Sequence, residues 1–600
     1  MKKIYYKIVC AICVICGFTS CADFLEIKPT DQILLDDFWN EKADVDNIMS
    51  GCYSALQGSD VRMRMMIWGE ARSENVMGSG NIKTADVHLY NILQENITSM
   101  NTYTTWVGFY DVINRCNTVL KYAPGVAAKD PAFTEGDLKA TIAEATALRS
   151  LCYFYLIRTF RDVPFSREAY TDDDQKMDLP ATPFYEVLDN IISDLEAVKG
   201  DAVKRYPETS TKVLYQTGRI TQDAINAMLC EMYLWKGDYD QCVKCADLVI
   251  DSKKIMQKEE EEKATGLTSL NKAALEERLE GFPLVNDELT GKVFGTAFEE
   301  LFVKRSFTSS SYPKESIFEL VYSDQPSEKN MLANSAVTTL YGREGANGLL
   351  LASKVVKEDV DLSADRKIFE EKNKKADSRM WTNFDATKDD PPILKYSTST
   401  MAVNASNVNT PTASFERYSS SNCASPWIIY RLADIMLLKA EALCEQMKDG
   451  VDAEAVAYNK ELLDTAFQLV NVINKRSIMK EKLAAADMLQ RKDYDTKIAM
   501  QNLVMRERQR ELMFEGKRWY DLVRYCMRAE RNGEADPTST IISAVGNRED
   551  VNTGYAQNFF KKMDAIFWPY NLDEMKVNRN LVANPAFSSG ENSSYDKTSK

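Results

Sequence analysis

The sequence predicts a mainly α-helical protein in which helices pack against one another in pairs. Apolar residues recur every three to four positions over long stretches, for example at 138–160 and 453–475. Two such stretches flank a short turn within 227–250, which predicts a helical hairpin. Strand-like runs are few and short, and residues 312–323 carry the clearest of them.

Four helices are predicted in the first third of the chain, at 38–56, 106–117, 138–160 and 184–198. Residues 106–117 place aromatic and apolar side chains at helical spacing, which is typical of a helix packed on a core. The stretch 138–160 ends shortly before Pro164. Pro183 stands at the start of the fourth helix, where the fixed φ of proline is compatible with helix initiation.

The hairpin at 227–250 resembles a tetratricopeptide unit, which has a glycine in its turn and small residues where its helices touch. Gly237-Asp238-Tyr239 forms the predicted turn, and Cys242 stands where such units hold a small residue. We therefore interpret Cys242 as a packing residue, although Cys242 and Cys245 have the spacing of a metal or redox pair. Another helix pair is predicted at 427–444 and 453–475.

Other stretches lack helical periodicity and are predicted as insertions. Residues 253–291 are highly charged, with an acidic run at 259–262, and are interpreted as a solvated insertion. Residues 397–426 are rich in serine, threonine and asparagine, which favours a loop. The polar residues 588–600 are expected to form a frayed tail.

The N-terminus predicts export and a lipid anchor. Three lysines precede an apolar run of 11 residues at 8–18, which is too short to cross a bilayer but typical of a signal peptide. Thr19-Ser20-Cys21 follows and is similar to the cleavage site of bacterial lipoproteins. Residues 1–20 are therefore predicted to be a signal peptide, and Cys21 is the predicted lipidation site that tethers the mature chain to a membrane. A plain secretory signal with an incidental Cys21 is the alternative.

Charge and histidine content exclude several functions. The net charge is −15, and loss of the three leader lysines would bring it to −18. Because an acidic protein repels phosphate backbones, nucleic acid is not an expected partner. His88 is the only histidine, so a histidine-rich metal site is excluded, and a Ser-His-Asp triad would have to use His88. We expect His88 to be exposed or close to a ligand, and we expect no metal and no cofactor.

Cysteine usage indicates packing. Of the thirteen cysteines, three lie in the leader and one is Cys21, which leaves nine in the body of the chain. An odd number spread over so long a chain is not a disulfide framework. Most of the nine stand in apolar helical contexts, where cysteine behaves as a small hydrophobic residue.

The most specific stretch of the chain is 506–524, RERQRELMFEGKRWYDLVR. It predicts a charged helix whose acids and bases stand three and four apart and pair on its surface. Leu512, Trp519, Leu522 and Val523 remain to pack on the core. The stretch resembles the C-terminal signature of the SusD/RagB family, surface lipoproteins that capture nutrients for an outer-membrane transporter.

Further stretches are similar to the family's patterns and follow in the family's order. Residues 430–442, YRLADIMLLKAEA, are a legible example. One departure is Arg161, where the family commonly has glycine, and we interpret it as tolerated on a surface turn. The resemblance covers nearly the whole chain, at 23–26, 38–56, 68–75, 144–164, 315–319, 395–396, 430–442 and 567–585.

The resemblance implies a fold and a partner. The expected fold is mainly α, a right-handed helical-repeat scaffold of about four tetratricopeptide-like helix pairs with loop-rich insertions and a few short strands. The implied partner is a SusC-like TonB-dependent outer-membrane transporter, with the protein lipid-anchored and facing the cell exterior. The expected organisation is one SusD-like domain at 21–600, with scaffold at about 38–250 and 427–527, ligand-side insertions at about 60–105 and 253–426, and a closing segment at 528–600.

Ligand contacts are sought in the two insertions. Sugar capture needs flat aromatic faces beside amide, carboxylate or guanidinium groups on a concave surface built from loops. Trp381 is the leading candidate because its context is polar, whereas Trp106 and Trp519 are expected to be core anchors. The predicted ligand-binding residues are Trp381, Tyr103, Tyr341, Asn101, Asn75, Arg72, Tyr90 and Asn383. Weaker candidates are Glu74, Asn81, His88, Arg343 and Asn347.

The sequence therefore favours a non-catalytic protein that binds glycans and delivers them to its transporter. A binder of peptides or glycoprotein fragments on the same scaffold is one alternative, and a transporter lid with weak affinity of its own is another. A glycoside hydrolase is disfavoured. With 89 acidic residues some carboxylate pair always stands at a workable separation, so the number of acids supplies no support for that activity.

Overall fold

The computed structural model describes residues 38–172, 174–207, 214–263, 278–285, 296–303, 315–323, 332–357, 369, 377–404, 412–450, 452–478 and 488–587. The predicted signal peptide, Cys21 and the tail at 588–600 lie outside the described residues.

Helices dominate the architecture, as the sequence predicts. The first half of the chain contains α1 (Lys42–Leu56), α2 (Ser59–Glu70), α3 (Ile82–Ala85), α4 (Val87–Leu93), α5 (Val107–Ala127), α6 (Glu135–Phe160), α7 (Phe184–Val198), α8 (Tyr215–Gly218), α9 (Gln222–Lys236) and α10 (Tyr239–Lys263).

The second half continues with shorter helices and then with long ones. These are α11 (Thr296–Phe302), α12 (Ser335–Leu340), α13 (Lys354–Lys357), α14 (Arg379–Thr382), α15 (Leu432–Glu445), α16 (Ala453–Ser477), α17 (Lys497–Leu512), α18 (Arg518–Arg531), α19 (Ser539–Gly546), α20 (Thr553–Phe559) and α21 (Leu572–Val577).

The long helices pack as a succession of neighbours. α1 lies on α5, α5 on α6, and α6 on α7; α9 and α10 form the hairpin, and α10 then contacts α15, which packs on α16 and α17. Apolar side chains from these helices and from the segments around them make a large buried core. A second buried cluster joins α15, α16 and α17.

The strands form small antiparallel pairs, and in the described residues each sheet has two strands. Neighbouring segments make three of the pairs and distant segments make two, β1 with β7 and β4 with β10. The strands are β1 (Val76–Gly78), β2 (Val163–Pro164), β3 (Ala181–Thr182), β4 (Ser316–Leu320), β5 (Gly342–Arg343), β6 (Ala346–Asn347), β7 (Leu350–Ala352), β8 (Thr398–Asn404), β9 (Thr412–Arg417) and β10 (Trp427–Arg431).

Two sequence expectations about these segments are wrong. The helix predicted at 427–444 begins only at Leu432, because Trp427–Arg431 pairs with β4 as a fully buried strand. The stretch 397–426, predicted as loop, contains the hairpin of β8 and β9. At 253–291 the first residues extend α10 to Lys263, and much of the remainder lies outside the described residues.

Helix ends show why particular residues stand in the turns. Gly237 ends α9 with a φ of +87°, a left-handed conformation that glycine adopts without strain. Arg161 ends α6 with a φ of +68°, which explains why glycine is favoured there. The Arg161 guanidinium pairs with Asp564 of the C-terminal segment, so the residue is more than a tolerated surface turn.

All nine cysteines in the described residues are buried and free, which agrees with a packing role. Cys230 and Cys242 face each other across the hairpin of α9 and α10 with their sulfur atoms 3.7 Å apart. Burial raises the pKa of the Cys230 thiol well above its usual range, so the thiol stays neutral.

Among the described helices, none combines the length and the apolarity that crossing a bilayer requires.

Candidate functional site

The structure brings the two predicted ligand-side segments together. β1 pairs with β7 in antiparallel register, with Val76 opposite Ala352 and Gly78 opposite Leu350. The amide of Ser79 donates to the carbonyl of Leu349 at 3.0 Å and extends the contact. The segments that follow residue 72 and residue 340 therefore adjoin in space although the sequence separates them widely.

Within this region, five predicted ligand residues are buried, and the expectation that they stand on an accessible surface is wrong. Arg72 lies under the C-terminal segment, where its guanidinium pairs with Glu95 at 2.8 Å and stacks over the ring of Trp519. Burial of such a group requires these internal partners. The other four are Asn75, Asn101, Tyr341 and Asn383.

Three of these side chains position the turn between α17 and α18. Asn75 Oδ1 accepts a hydrogen bond from Gln509 Nε2 at 2.8 Å. The hydroxyl of Tyr341 donates to the carbonyl of Phe514 at 2.9 Å, and Asn383 Nδ2 donates to the carbonyl of Arg510 at 3.2 Å. Their polar surroundings in the sequence indicated loops, but their partners lie more than a hundred residues away.

Glu74 is buried as well and belongs to the same scaffold. Its carboxylate receives hydrogen bonds from Gln509 Nε2 at 3.0 Å and from Arg518 Nε at 3.0 Å. It is therefore unavailable to a ligand at the surface.

The remaining aromatic candidates of the first segment form a half-buried group near the surface. The hydroxyl of Tyr103 donates to Asp86 Oδ2 at 2.6 Å, and burial together with this carboxylate raises the tyrosine pKa. Lys83 Nζ lies 5.5 Å from the centre of the Tyr90 ring. Asn101 Nδ2 donates to the carbonyl of His88 at 2.9 Å and so connects the segment around Tyr103 to α4. We call Asp86, His88, Tyr90, Asn101 and Tyr103 the Tyr103 cluster.

Trp381 occupies α14, a single helical turn, and packs half-buried against the core. Its neighbour Arg379 is buried and paired with Asp377 at 2.7 Å, which anchors the turn. Arg343 and Asn347 are exposed on the hairpin of β5 and β6, and Asn81 is exposed before α3.

A buried ionic network stands behind these candidates. Arg431 pairs with Glu315 at 2.7 Å, with Glu511 at 2.6 Å and with Glu515 at 2.8 Å. Burial alone would raise the pKa of Glu511, but the guanidinium groups of Arg476, Arg431 and Arg379 hold it well below its usual range. The charges of 506–524 thus neutralise partners from other segments. They also pair within the stretch at the predicted spacing of three, Arg510 with Glu507 at 2.6 Å and Arg524 with Asp521 at 2.8 Å, but these pairs are buried, so the expectation that they lie on an exposed helix surface is wrong.

A separate groove that the sequence did not indicate has a volume of about 440 Å³. It lies beside the N-terminal half of α5 and is bounded by the loop after β2 and by α21. We call it the Trp106 groove. Its lining includes Trp106, Val107, Tyr110, Asp111, Asn114, Tyr153, Tyr170, Met177, Glu574, Val577 and Asn578.

The wall of the Trp106 groove is held by hydrogen bonds. The hydroxyl of Tyr110 donates to the carbonyl of Pro164 at 2.6 Å. Asn114 Nδ2 donates to the carbonyl of Tyr170 at 2.9 Å and Asn114 Oδ1 accepts from the Tyr170 amide at 2.8 Å. Burial raises the pKa of Glu574, and hydrogen bonds from Trp106 act against that rise.

The spacing of Trp106, Tyr110 and Asn114 places them on one face of α5, which by itself does not indicate a groove. The expectation that Trp106 is buried is confirmed, since it is 4% exposed. The second wall comes from segments near residues 170 and 577. No local sequence pattern predicts that these segments contact α5.

Another concavity, of about 460 Å³, lies at the turn between α9 and α10. Its two tyrosines already have partners: Arg531 Nη2 donates to the hydroxyl of Tyr239 at 3.1 Å, and Lys448 Nζ lies 4.6 Å from the Tyr458 ring centre. It arises where several helix ends meet, and we assign no ligand to it.

Comparisons with known sequences match two family models in succession. Residues 23–234 match a family described as starch-binding associating with outer membrane, and residues 314–587 match the SusD family. SusD-like protein P38 of Formosa agariphila is 23% identical over 577 residues, which is 94% of this chain and 95% of that protein. SusD-like protein P2 of the same organism is 24% identical, over 87% of this chain and 91% of the relative.

Solved structures share the fold over almost their whole length. A laminarin-binding SusD-like protein superposes with a TM-score of 0.58 at 17% identity, covering 91% of this chain and 100% of that one. Surface glycan-binding protein A from Bacteroides thetaiotaomicron, solved with laminarihexaose, gives a TM-score of 0.57 at 16% identity, with coverage of 91% and 100%. At these identities the likeness shows the fold.

Proposed function

We propose, because this chain belongs to the SusD family, that it binds glycans at the outer membrane and delivers them, uncleaved, to a partner TonB-dependent transporter. The observation that carries this proposal is the succession of two family matches, at 23–234 and 314–587, one of them to a family described as starch-binding and associated with the outer membrane. The superposition on a protein solved with laminarihexaose supports glycan as the class of cargo.

The proposed ligand contacts are the accessible members of the predicted set, Tyr103, Tyr90 and Trp381. Each is an aromatic residue that keeps part of its side chain in solvent, and aromatic faces pack on the C–H faces of sugar rings. Asp86 accepts from the Tyr103 hydroxyl at 2.6 Å and holds the ring in one orientation. Such preorganisation lowers the entropic cost of binding.

The proposed attachment to the membrane is through Cys21, with the folded chain facing the cell exterior. The leader-like run before Cys21 supports this proposal, because a surface protein can be tethered by a lipid anchor. Cys21 is the cysteine that follows that run, so it is the candidate for acylation. A TonB-dependent transporter is the proposed partner because the family resemblance implies it.

Binding is tested with the mature chain on an array of immobilised neutral and acidic polysaccharides, peptides and glycoprotein fragments. We expect retention on at least one glycan, with Tyr103→Ala and Trp381→Ala reducing it. Tyr185→Ala, at an exposed tyrosine on α7 outside the candidate site, is the matched control and should bind as the wild type does. Retention on peptides or glycoprotein fragments alone would replace glycan by another nutrient as the cargo.

Delivery is tested by purifying the full-length lipoprotein from detergent-extracted outer membranes. We expect one TonB-dependent transporter to co-purify in a fixed ratio, and recovery of the lipoprotein alone would contradict delivery. Co-purification without retention on any glycan would indicate a transporter lid with weak affinity of its own.

A further inference from the structure

The Trp106 groove has no part in the proposed ligand contacts, yet its lining has the chemistry that sugar capture requires. We propose that the Trp106 groove is a second carbohydrate site, separate from the Tyr103 cluster and Trp381, that takes a short uncharged saccharide. This inference rests on the proposed function, because it adds a site and a sugar class to a glycan-binding protein.

Aromatic residues and hydrogen-bond acceptors both line the groove. Trp106, Tyr110 and Tyr170 supply rings to its walls, and Tyr110 and Tyr170 are only half-buried. Asp111 and Glu574 supply carboxylates, and an ionised carboxylate accepts about four hydrogen bonds. A sugar ring has an apolar C–H face and a rim of hydroxyl donors, so it matches both kinds of group at once.

The charge of the lining selects an uncharged sugar. Asp111 and Glu574 are its charged residues, and the described lining contains neither lysine nor arginine. Arg115 of α5 pairs with Asp111 at 2.9 Å and offsets its charge, so a uronic acid or a sulfated sugar would be repelled mainly by Glu574. The net charge of −15 on the whole chain acts in the same direction.

The groove is formed before any ligand arrives. Tyr110 is fixed on the carbonyl of Pro164, and Asn114 is fixed on both backbone groups of Tyr170. Asn578 Nδ2 donates to the carbonyl of Leu179 at 2.7 Å and ties α21 to the opposite wall. A ligand therefore orders few side chains when it binds, which reduces the entropic cost.

The rim exposes apolar surface to an unusual degree. Val107 is 63% exposed, Met177 is 54% exposed and Val577 is 82% exposed, and all three border this one groove. Exposed apolar residues gathered round a concavity mark binding sites more often than those scattered singly. They offer contact to the C–H faces of a sugar that extends beyond the groove.

The volume sets the size of the ligand. Small-molecule sites range over about 300–1,000 Å³, and about 440 Å³ lies in the lower part of that range. The groove therefore takes a short saccharide or the end of a longer chain.

The test is calorimetric titration of the mature chain with neutral hexasaccharides, namely laminarihexaose, maltohexaose, cellohexaose and mannohexaose, and with hexagalacturonate as the anionic probe. We expect one neutral sugar to give a two-site isotherm and hexagalacturonate to leave the groove empty. Tyr170→Ala removes an aromatic wall and Asp111→Ala removes an acceptor, and each should raise the Kd of one site about tenfold or more.

Matched variants separate the groove from general damage. Tyr185→Ala removes an exposed tyrosine elsewhere, and Asp46→Ala removes an aspartate that, like Asp111, pairs with a basic residue four positions away and is 48% exposed. Both should keep two sites. Val577→Asp changes a residue that is 82% exposed, so it removes apolar contact surface from the rim without touching the core. It should weaken the groove site even if Tyr170→Ala fails to fold.

The outcomes distinguish this inference from the proposed function. Two unchanged sites in Tyr170→Ala, Asp111→Ala and Val577→Asp would overturn the groove site and leave the proposed function intact. A single wild-type site that the double variant Tyr103→Ala, Trp381→Ala abolishes would do the same. A single site that persists in that double variant and is lost in Val577→Asp would support the groove and overturn the loop contacts. Absence of binding by the wild type to every sugar would overturn both.

Discussion

Glu70 shows how one buried carboxylate links distant parts of the chain. It lies at the end of α2, and Oε1 accepts from the amide of Phe514 and from Asn75 while Oε2 accepts from the amide of Gly516. Burial raises its pKa to about 7, although the three donors and the charge of Lys395 act against that rise. The carboxylate therefore changes charge near neutral pH in the folded protein.

This titration predicts a pH dependence of stability. The folded pKa of Glu70 lies above its unfolded value near 4.5, so the unfolded state loses this proton first. Stability therefore falls as pH rises from about 4.5 to about 7 and then levels off. Between pH 5 and pH 8 the wild type should lose up to about 3 kcal/mol relative to Glu70→Gln, which does not titrate. Chemical denaturation of both proteins across this range measures the difference, and parallel pH profiles would contradict the account of Glu70.

Replacing Trp381 should affect glycan binding much more than thermal stability. Its ring is half-buried on the one-turn helix α14, so part of it packs on the core and part meets solvent. Trp381→Ala should weaken glycan binding by about tenfold and lower the melting temperature only slightly. A large fall in melting temperature with binding unchanged would make Trp381 a core residue, and thermal unfolding beside calorimetry decides between the two.

At the scale of elements, α17 and α18 organise the molecule through buried charge. Arg431, at the end of β10, neutralises Glu315, Glu511 and Glu515 within 2.8 Å. Replacing Arg431 by methionine keeps the volume but leaves three carboxylates without this partner. The variant should lose about 3–5 kcal/mol of stability. Lys139→Ala breaks an exposed pair with Glu135 on α6 and should cause no measurable change.

The close approach of α2 to the turn before α18 predicts a strict need for glycine. A Cβ on Gly69 would overlap the carbonyl oxygen of Gly516. Gly69→Ala should therefore cost about 3 kcal/mol or more, since backbone on both sides has to move. Gly125→Ala, in the exposed part of α5 with open space around it, should instead stabilise by about 0.5–1 kcal/mol. Denaturant titration of both variants tests the pair.

Sequence reasoning succeeded where a pattern is local. Helices such as α6 and α16 follow from apolar spacing, and the family assignment from 506–524 is confirmed by two family matches. It failed at Trp427–Arg431, because pairing with β4 involves residues a hundred positions away. It failed for Arg72 and Tyr341 because polar sequence surroundings do not show that distant segments will cover a side chain.

At the scale of the whole molecule, the candidate site could be located by region but not by residue. The segments after residues 72 and 340 do adjoin, through β1 and β7. Which side chains stay accessible depends on how the turn between α17 and α18 and the C-terminal segment fill the space behind them. The Trp106 groove forms where α5, the loop after β2 and α21 meet, so no single stretch of sequence predicts it.

The proposed anchor predicts where the protein is found in the cell. Cys21→Ala removes the thiol that is acylated, so the mature chain should move from the membrane fraction to the soluble fraction or to the medium. Fractionation of cells that express the wild type and the variant measures this. A variant that remains tightly membrane-bound would contradict anchoring at Cys21, and Cys52→Ala, at a buried cysteine of α1, is the control.

Glycan binding without cleavage is tested most directly by electrophoresis of the mature chain in native gels that contain polysaccharides. The same polysaccharides are analysed by chromatography after incubation with the protein. At least one glycan should retard the protein, and no shorter products should appear. Unchanged mobility in every glycan would contradict glycan capture, and retardation together with shortened chains would contradict a protein that binds its glycan without cleaving it.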